Sequence, residues 1–175
     1  MYSSITNIPY TICFCKAGEK ILMLHRNRPP NQFLWNGVGG KIQEGETIEE
    51  SLRREVLEET GLDVSHALDV RFVGVVSWMG ARDPSNENRG MYAYVADFPA
   101  MVATNGIQET DEGKLEWKPI PWMLDHSNTA IAENIPYFLP RMLTTCSPAE
   151  YRCVYDDGVL TEFLIRPWKS STIQT

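Results

Sequence analysis

The stretch Thr47 to Gly61, TIEESLRREVLEETG, is the strongest constraint on how this chain can fold. Thr47 and Glu50 have the T-x-x-E spacing of a capping box, in which each residue satisfies a free backbone N–H at the start of a helix. Gly61 stands where a glycine commonly ends a helix in the left-handed conformation. The sequence therefore predicts a helix from Thr47 to Thr60.

Three glutamates of this helix, Glu55, Glu58 and Glu59, lie within one arc of about 100° around the helix axis. At 100° per residue, Glu58 and Glu59 lie about −60° and +40° from Glu55. On the same wheel the apolar residues fall at about 20°, 60° and 100°: Ile48, Leu52 and Val56. The carboxylates are therefore expected beside the core-facing stripe and not on the solvent-facing side.

Like charges at this spacing repel by about 0.2–0.5 kcal/mol per pair, and burial increases that cost unless a cation is present. One interpretation is a solvated acidic face on which Arg54 pairs with Glu58. The position beside the apolar stripe instead favours a hard divalent cation. Carboxylate oxygens suit Mg²⁺ or Mn²⁺, and no nearby His or Cys offers a softer site.

Strand patterns and turn signals surround the helix. The predicted elements are two strands around a turn at Ala17–Gly18, a loop over 27–40, strands over 68–79 and 90–98 with a polar loop over 80–90, a short strand over 114–120, a helix over 134–145 with Pro136 in its first turn, and a closing hairpin around Asp157–Gly158. Strands mixed with two helices predict an α/β sandwich, here as a single domain over 1–175.

The composition of the chain argues against some classes of binding partner. The chain has 175 residues and a net charge of −7, which argues against polymeric nucleic acid because phosphate neutralisation needs clustered Lys and Arg. No apolar run reaches the 18 or so residues of a membrane span, and the N-terminus lacks a signal-peptide pattern. Cys13 and Cys15 alternate on a predicted strand, so buried thiols in a reducing cytoplasm are expected.

Residues 40–62 resemble the Nudix box, G-x5-E-x7-R-E-U-x-E-E-x-G-U with U aliphatic, at every fixed position. The matching residues are Gly40, Glu46, Arg54, Glu55, Val56, Glu58, Glu59, Gly61 and Leu62. The resemblance implies a Nudix hydrolase, which cleaves a nucleoside diphosphate linked to another group. It also implies an α/β/α sandwich with a mixed β-sheet and a loop-helix-loop catalytic motif.

The same resemblance implies roles for the box residues. The metal ligands would be the Gly40 carbonyl, Glu55, Glu58 and Glu59, and the metal would be Mg²⁺, with Mn²⁺ as a substitute. Glu55 would also be the general base, oriented by Arg54, and Glu46 would hold the loop. Diphosphate cleavage independently calls for such groups, since a cation offsets phosphate charge and a base removes a proton from the attacking water.

Residues outside the box resemble those of MutT-type oxidised-purine nucleoside triphosphatases. The shared lead-in WNGVGGK implies that Asn36 and Lys41 contact the substrate, although Asn36 also suits a turn. A further catalytic glutamate is expected before Trp117. Glu112 is the first candidate and Glu109 the second, with a solvated acidic loop as the alternative.

Asn134, in the stretch AENIPYF, resembles the base-reading Asn of the MutT-type enzymes. 8-Oxoguanine carries an N7–H donor where guanine has an acceptor, and an amide can accept from N7–H while donating to O6. Asn134 also suits the N-cap of the following helix. Broad-range enzymes stack the base between a Phe and a Trp. Here the matching positions are Pro30 and Ile131, with Trp122, Phe33 and Trp78 as substitutes.

The predicted function is hydrolysis of 8-oxo-dGTP to 8-oxo-dGMP and diphosphate. This activity would clean the nucleotide pool and support DNA repair, in a cytoplasmic monomer or homodimer. Other Nudix substrates remain open: an ordinary nucleoside triphosphate, ADP-ribose, a nucleotide sugar or a dinucleoside polyphosphate. Nudix enzymes that act on ADP-ribose resemble one another in a proline about 15 residues after the box, and its absence here, near Ser77, disfavours ADP-ribose. A catalytically silent sensor domain is the third alternative, against which the intact glutamates argue.

Overall fold

A computed structural model describes residue 5 and residues 7–80 and 89–168 of the chain. Within these residues, nine strands form one mixed sheet flanked by three helices. The strands are β1 Asn7–Ala17, β2 Lys20–Arg26, β3 Trp35–Asn36, β4 Asp69–Gly80, β5 Arg89–Phe98, β6 Gln108–Thr110, β7 Gly113–Pro119, β8 Ala149–Asp156 and β9 Val159–Pro167. The helices are α1 Ile48–Thr60, α2 Ile120–Leu124 and α3 Ile135–Thr144.

The sheet order is β6-β7-β2-β1-β5-β4-β8-β9, with β3 paired to β2 outside this path. The pairs β1·β5 and β4·β8 are parallel and the others are antiparallel. Both parallel pairs join strands that are distant in sequence. The predicted mixed sheet is therefore confirmed.

The central strand β1 contributes to cores on both faces of the sheet. Ile12 and Phe14 pack in the cluster that contains α2 and α3, whereas Cys13 and Cys15 pack in the cluster that contains α1. Alternation of side chains along a strand produces this division. The predicted α/β/α sandwich is confirmed, and so is the burial of Cys13 and Cys15 as free thiols.

Helix α1 begins and ends as its sequence predicts. The Thr47 hydroxyl accepts from the Glu50 N–H at 3.2 Å, and Glu50 Oε2 accepts from the Thr47 N–H at 2.8 Å. Gly61 follows with φ of 74°, a conformation that glycine adopts without steric cost. Leu52 and Val56 are buried against the sheet. The capping box and the apolar stripe therefore fix the position of the glutamates.

Several predicted elements agree with the structure and others differ. Helix α3 and the hairpin turn at Asp157–Gly158 are confirmed. The first turn lies at Gly18–Glu19, one residue later than predicted. Strands β3 and β6 and helix α2 were missed, because two to five residues are too short to show periodicity. Of the predicted polar loop, residues 81–88 lie outside the described part of the chain, while its ends belong to β4 and β5.

No described helix is long and apolar enough to cross a lipid bilayer.

Candidate active site

The glycine pair before the helix contacts two of its glutamates. The Gly39 N–H donates to Glu59 Oε2 at 2.8 Å. Gly39 has φ of 151°, and a Cβ at this position would overlap the Thr11 carbonyl oxygen. A Cβ on Gly40 would meet the Glu55 carboxylate. Glycine is therefore required for the loop to pass between β1 and the carboxylates of α1.

The Arg54 guanidinium joins three of the predicted residues. Its Nε and Nη2 donate to the two carboxylate oxygens of Glu46 at 2.8 and 3.0 Å. Its Nη1 lies 2.6 Å from Glu55 Oε1 and 3.2 Å from Glu58 Oε2. The hydrogen bonds to Glu46 and then to Glu55 raise the pKa of Arg54 above its ordinary value. A planar fork of this kind fixes the orientation of each carboxylate it contacts.

Glu46 connects the loop to the helix. Besides its two bonds from Arg54, Oε2 accepts from the Gln43 N–H at 2.9 Å. The hydrogen bonds from Arg54 and then Gln43 lower the pKa of Glu46 to about 2. Arg54 also donates to the Lys41 carbonyl at 3.2 Å. Loop residues 41–46 are thus held by ionic and backbone contacts together.

The three glutamates of the helix differ in burial. Glu59 is buried, the Glu55 side chain is 14% exposed, and the Glu58 side chain is 60% exposed. The prediction that all three avoid the solvent side is wrong for Glu58. On the helical wheel Glu59 lies inside the apolar stripe at about 40°, whereas Glu58 lies about 80° or more from every apolar residue.

The surroundings of Glu59 destabilise its ionised form. Burial raises its pKa to about 7, and the charges of Glu55 and Glu112 act in the same direction. The Gly39 N–H and the Arg26 charge oppose this rise without cancelling it. The surroundings of Glu59 therefore carry too little positive charge for a cluster of ionised carboxylates.

A cleft of about 360 Å³ brings these groups together. Its lining residues are Arg26, Gly39, Gly40, Glu55, Glu58, Glu59, Asp111 and Glu112. Four glutamates from two distant parts of the chain thus border one space. Tertiary structure supplies the fourth, Glu112, from the turn between β6 and β7.

The β6–β7 turn is held beside the end of β2. The Asn27 backbone N–H donates to the Glu112 carbonyl at 3.0 Å, and the Asn27 side chain donates to the Asp111 carbonyl at 3.1 Å. Arg28 Nη1 lies 3.8 Å from Glu112 Oε1. Glu109 is exposed beside Lys114 and does not line the cleft. Of the two candidate glutamates, Glu112 is the one placed at the cleft.

Besides Gly39, two charged residues that line the cleft were not predicted as site residues. Asp111 is adjacent to Glu112 and matches no motif position of its own. Arg26 ends β2, where it pairs with Gly113 of β7. Only this pairing places Arg26 at the carboxylates, so no local pattern could have identified it.

The cleft suits a hard cation by the chemistry of its donors. Carboxylate and carbonyl oxygens are the ligands that Mg²⁺ and Mn²⁺ prefer. In the described residues no three His, Cys, Asp or Glu side chains form a preassembled metal site. Instead, Arg54 supplies positive charge to Glu55 and Glu58. The Gly40 carbonyl accepts from the Thr11 N–H at 2.9 Å, and a carbonyl has a second lone pair.

The loop that enters the cleft begins on the opposite face of the sheet. Trp35 packs against the core of α2 and α3, whereas Val38 belongs to the core of α1. Between them, Asn36 ends β3, and its Oδ1 accepts from the adjacent Gly37 N–H at 2.8 Å. The N–H of Trp35 donates to the Ala130 carbonyl at 2.9 Å. Lys41 follows the cleft with an exposed side chain.

Asn134 precedes α3 but does not cap it with its side chain. Its backbone is helical, with φ of −82° and ψ of −15°, whereas an N-cap residue is typically extended. The side-chain Nδ2 instead donates to Cys153 Sγ at 3.9 Å. The side-chain N-cap interpretation is therefore wrong, and the amide is directed at β8.

The candidate stacking residues occupy different environments. Ile131 is buried in the core and Phe33 is 67% exposed. Trp122 packs edge-on to Trp35, with centroids 6.4 Å apart. Trp78 is partly buried on the α2–α3 face, and its strand partner is Cys153, the residue that contacts Asn134. Trp78 is the candidate that shares a neighbour with Asn134.

Comparisons with known proteins place this geometry in a family. The chain is 33% identical to an oxidized purine nucleoside triphosphate hydrolase of Mus musculus over 108 residues, 62% of this chain and 64% of that protein. It is 28% identical to the NAD-capped RNA hydrolase NudC of Haemophilus influenzae over 119 residues, 65% of this chain and 41% of that protein. The chain thus spans less than two thirds of the length of each relative.

A solved structure matches most of the fold. The MutT protein from Bacillus halodurans has a TM-score of 0.69 at 22% identity, covering 89% of this chain and 95% of that one. The likeness concerns the arrangement of the sheet and helices. At the level of sequence, residues 8–141 match the NUDIX domain, and the chain therefore belongs to the NUDIX domain family.

Proposed function

We propose that this protein is a Mg²⁺-dependent hydrolase that converts a nucleoside triphosphate to a nucleoside monophosphate and diphosphate. The observation that carries the proposal is the cleft bordered by Glu55, Glu58, Glu59 and Glu112. An anionic polyphosphate would be repelled by four carboxylates, so a bound cation is needed for the two to meet. The family membership supports the same type of reaction.

The cation would be held by the Gly40 carbonyl and by Glu55, Glu58 and Glu59. When bound, it supplies positive charge to the phosphates and lowers the pKa of an attacking water. The raised pKa of Glu59 supports this assignment, because a buried carboxylate among other carboxylates is stabilised by an added cation. Mn²⁺ satisfies the same oxygen donors.

Glu55 is the proposed general base, and Arg54 its positioning residue. The ion pair at 2.6 Å engages Glu55 Oε1, which leaves Oε2 to accept a proton. The bonds from Arg54 to Glu46 anchor the guanidinium, so the Glu55 carboxylate is held at a fixed angle. Glu112 is proposed to assist from the β6–β7 turn, which also borders the cleft.

The proposed substrate is 8-oxo-dGTP. Asn134 and Asn36 would contact the base, with Trp78 as the proposed stacking residue and Lys41 near the phosphates. The name of the mouse relative supports an oxidised purine. The strand β3 and the following glycines connect the face that carries Asn134 to the carboxylate cleft. The cellular role would be removal of oxidised nucleotides from the cytoplasmic pool.

The test is product formation from a panel of nucleotides, measured as diphosphate for the triphosphates, as AMP for ADP-ribose and as nicotinamide mononucleotide for NAD-capped RNA. The panel contains 8-oxo-dGTP, dGTP, ATP and ADP-ribose, together with NAD-capped RNA because of the name of the Haemophilus relative. The proposal expects the highest kcat/KM for 8-oxo-dGTP with Mg²⁺ and no turnover in excess EDTA. Preference for another nucleotide would reject the substrate, whereas binding without turnover would identify a sensor domain.

A further inference from the structure

The edge strand β9 carries a segment whose residues are complementary to the same segment running in the opposite direction. In the described part of the chain the two edge strands of the sheet are β6, with three residues, and β9, with nine. The edge of a sheet presents N–H and C=O groups that a further strand can join. Pairing between β8 and β9 is irregular only between Val154 and Tyr155. The segment Glu162–Arg166, EFLIR, lies beyond this irregularity and is regular strand.

The two faces of this segment differ in character. Phe163 packs beside the core of α2 and α3. Because side chains alternate along a strand, Ile165 lies on the same face as Phe163, and it is 46% exposed. Glu162, Leu164 and Arg166 lie on the other face. The segment therefore has an acid at its first position, a base at its last position and apolar residues between them.

We propose that this segment is a dimerisation surface, at which β9 pairs antiparallel with β9 of a second copy of the chain. In this arrangement a two-fold axis lies beside Leu164, which faces its own copy. Each Glu162 then lies opposite the Arg166 of the other copy. Each Phe163 lies opposite an Ile165 in the same way. Directly opposed side chains of an antiparallel pair interact, and both opposite charges and apolar pairs stabilise it.

Charge selects this register among those that a two-fold axis allows. The axis preserves the two faces of the sheet, so it lies beside a residue and pairs side chains of the same face. An axis at Glu162 or at Arg166 places like charges opposite each other, which destabilises the pair. An axis at Phe163 or at Ile165 places one of the charges opposite Leu164. Of these positions, only the axis at Leu164 brings opposite charges together.

Pairing at β9 leaves the carboxylate cleft open. Charged residues from the end of β2 and from the β6–β7 turn line this cleft, namely Arg26, Asp111 and Glu112, and β9 lies at the opposite end of the strand order. No residue of β8 or β9 is among the described residues that line it. Dimerisation is therefore independent of the proposed function, and each copy keeps its own cleft.

The first test measures the mass of the protein in solution by sedimentation velocity. The monomer has a mass of 19.9 kDa, and the mass should rise to twice this value as the protein concentration approaches about 1 mM. Glu162→Arg and Arg166→Glu each place like charges opposite each other twice, so each should raise the Kd of the dimer about tenfold or more. Both side chains also interact within their own chain, so the single substitutions change two kinds of contact.

The double variant, Glu162→Arg with Arg166→Glu, separates these two kinds of contact. It exchanges the charges, so opposite charges again meet across the axis while the contacts within the chain stay changed. Its Kd should return to within about threefold of the wild-type value. Glu109→Arg is the matched control, an exposed charge reversal on the other edge strand β6, and should leave the Kd unchanged.

Four outcomes would overturn the proposal. The first is a wild-type protein that is monomeric at every concentration. The second is a dimer that neither single substitution weakens. The third is a double variant that binds no more tightly than the single ones, and the fourth is a loss of the dimer in Glu109→Arg.

A disulfide tests the register directly and does not depend on charge. Opposed residues of an antiparallel pair have Cα atoms about 4.5–5.5 Å apart, which a disulfide can span. In a Cys146→Ser background, which removes an exposed cysteine, Leu164→Cys should give a covalent dimer on oxidation with dissolved oxygen. Val159→Cys, at an exposed position of the same strand, should give none. Equal cross-linking of the two variants, or no cross-link in Leu164→Cys, would refute the pairing.

Discussion

The backbone N–H of Gly39 donates a 2.8 Å hydrogen bond to the buried carboxylate of Glu59. This bond joins the glycine loop to the glutamate helix at the base of the cleft. Gly39 can make it because the loop lies directly on the Thr11 carbonyl, where any side chain would collide. The position of Glu59, a candidate metal ligand, thus depends on Gly39, 20 residues earlier, having no side chain.

Gly39→Ala should therefore impair both stability and activity. Its Cβ would overlap the Thr11 carbonyl and force the loop away from Glu59, with an expected loss of about 3 kcal/mol or more in unfolding free energy. Gly45→Ala is the control, since Gly45 has φ of 79° but open space around its Cβ position. That change should cost about 1–2 kcal/mol, the penalty of the left-handed conformation alone. Urea denaturation measures the loss of stability, and diphosphate release measures the loss of activity. Equal losses in Gly39→Ala and Gly45→Ala would show that the overlap with the Thr11 carbonyl is not the cause.

Glu58→Gln should weaken metal binding and rate together. Glu58 is the most exposed of the three helix glutamates, so the substitution removes a charge with little effect on packing. Titration with Mn²⁺ should show a raised Kd, and excess Mg²⁺ should recover part of the rate. Glu44→Gln, an exposed change in the loop that precedes the helix, should alter neither value. Full activity of the wild-type protein in excess EDTA would refute the metal requirement.

Glu55→Gln should lower kcat by about 10²–10⁴-fold, the usual range for a general base. Glutamine retains an oxygen for the Arg54 contact and has a similar helix propensity, so the fold should persist. Circular dichroism and a thermal melt provide the check on folding. An unfolded variant would instead assign Glu55 a structural role.

Glu46→Gln should be most destabilising at neutral pH. Folding lowers the pKa of Glu46 from 4.5 to about 2, so its ionised form is stabilised in the native state. That contribution is complete above the unfolded pKa and is lost as the pH falls towards 2. The difference in unfolding free energy between wild type and Glu46→Gln should shrink between pH 7 and about pH 3. A difference that is constant with pH would show that the Arg54 contact does not set this pKa.

Asn134→Ala should bring the kcat/KM values of 8-oxo-dGTP and dGTP towards parity. Loss of a bidentate base contact is worth about 1–3 kcal/mol, or about 5- to 150-fold in the ratio. Mg²⁺ dependence should persist, because Asn134 lies outside the carboxylate cleft. Asn105→Ala removes an exposed amide that accepts from Lys20, and it should leave the ratio unchanged. A wild-type preference for dGTP would refute the specificity and leave the hydrolase proposal in place.

Local sequence determined the glutamate helix almost completely. The capping box, the C-terminal glycine and the apolar stripe are interactions between residues a few positions apart, which one turn of helix brings together. They set which glutamates face the sheet. The same stripe also explains why Glu58 is exposed, since its angle on the wheel lies outside the apolar arc.

Only the tertiary structure decided which other residues meet the helix. Arg26 and Glu112 reach the cleft because β2 pairs with β7, and Asn134 meets Cys153 because β8 lies against the start of α3. A strand or turn does not specify its pairing partner locally, so neither Arg26 nor the contact between Asn134 and Cys153 could be predicted from spacing, and Glu112 was expected only through the resemblance to MutT-type enzymes. Sequence alone therefore determined which glutamates the helix presents to the sheet. The pairing of strands that lie 80 or more residues apart in sequence determined which other residues line the cleft beside them.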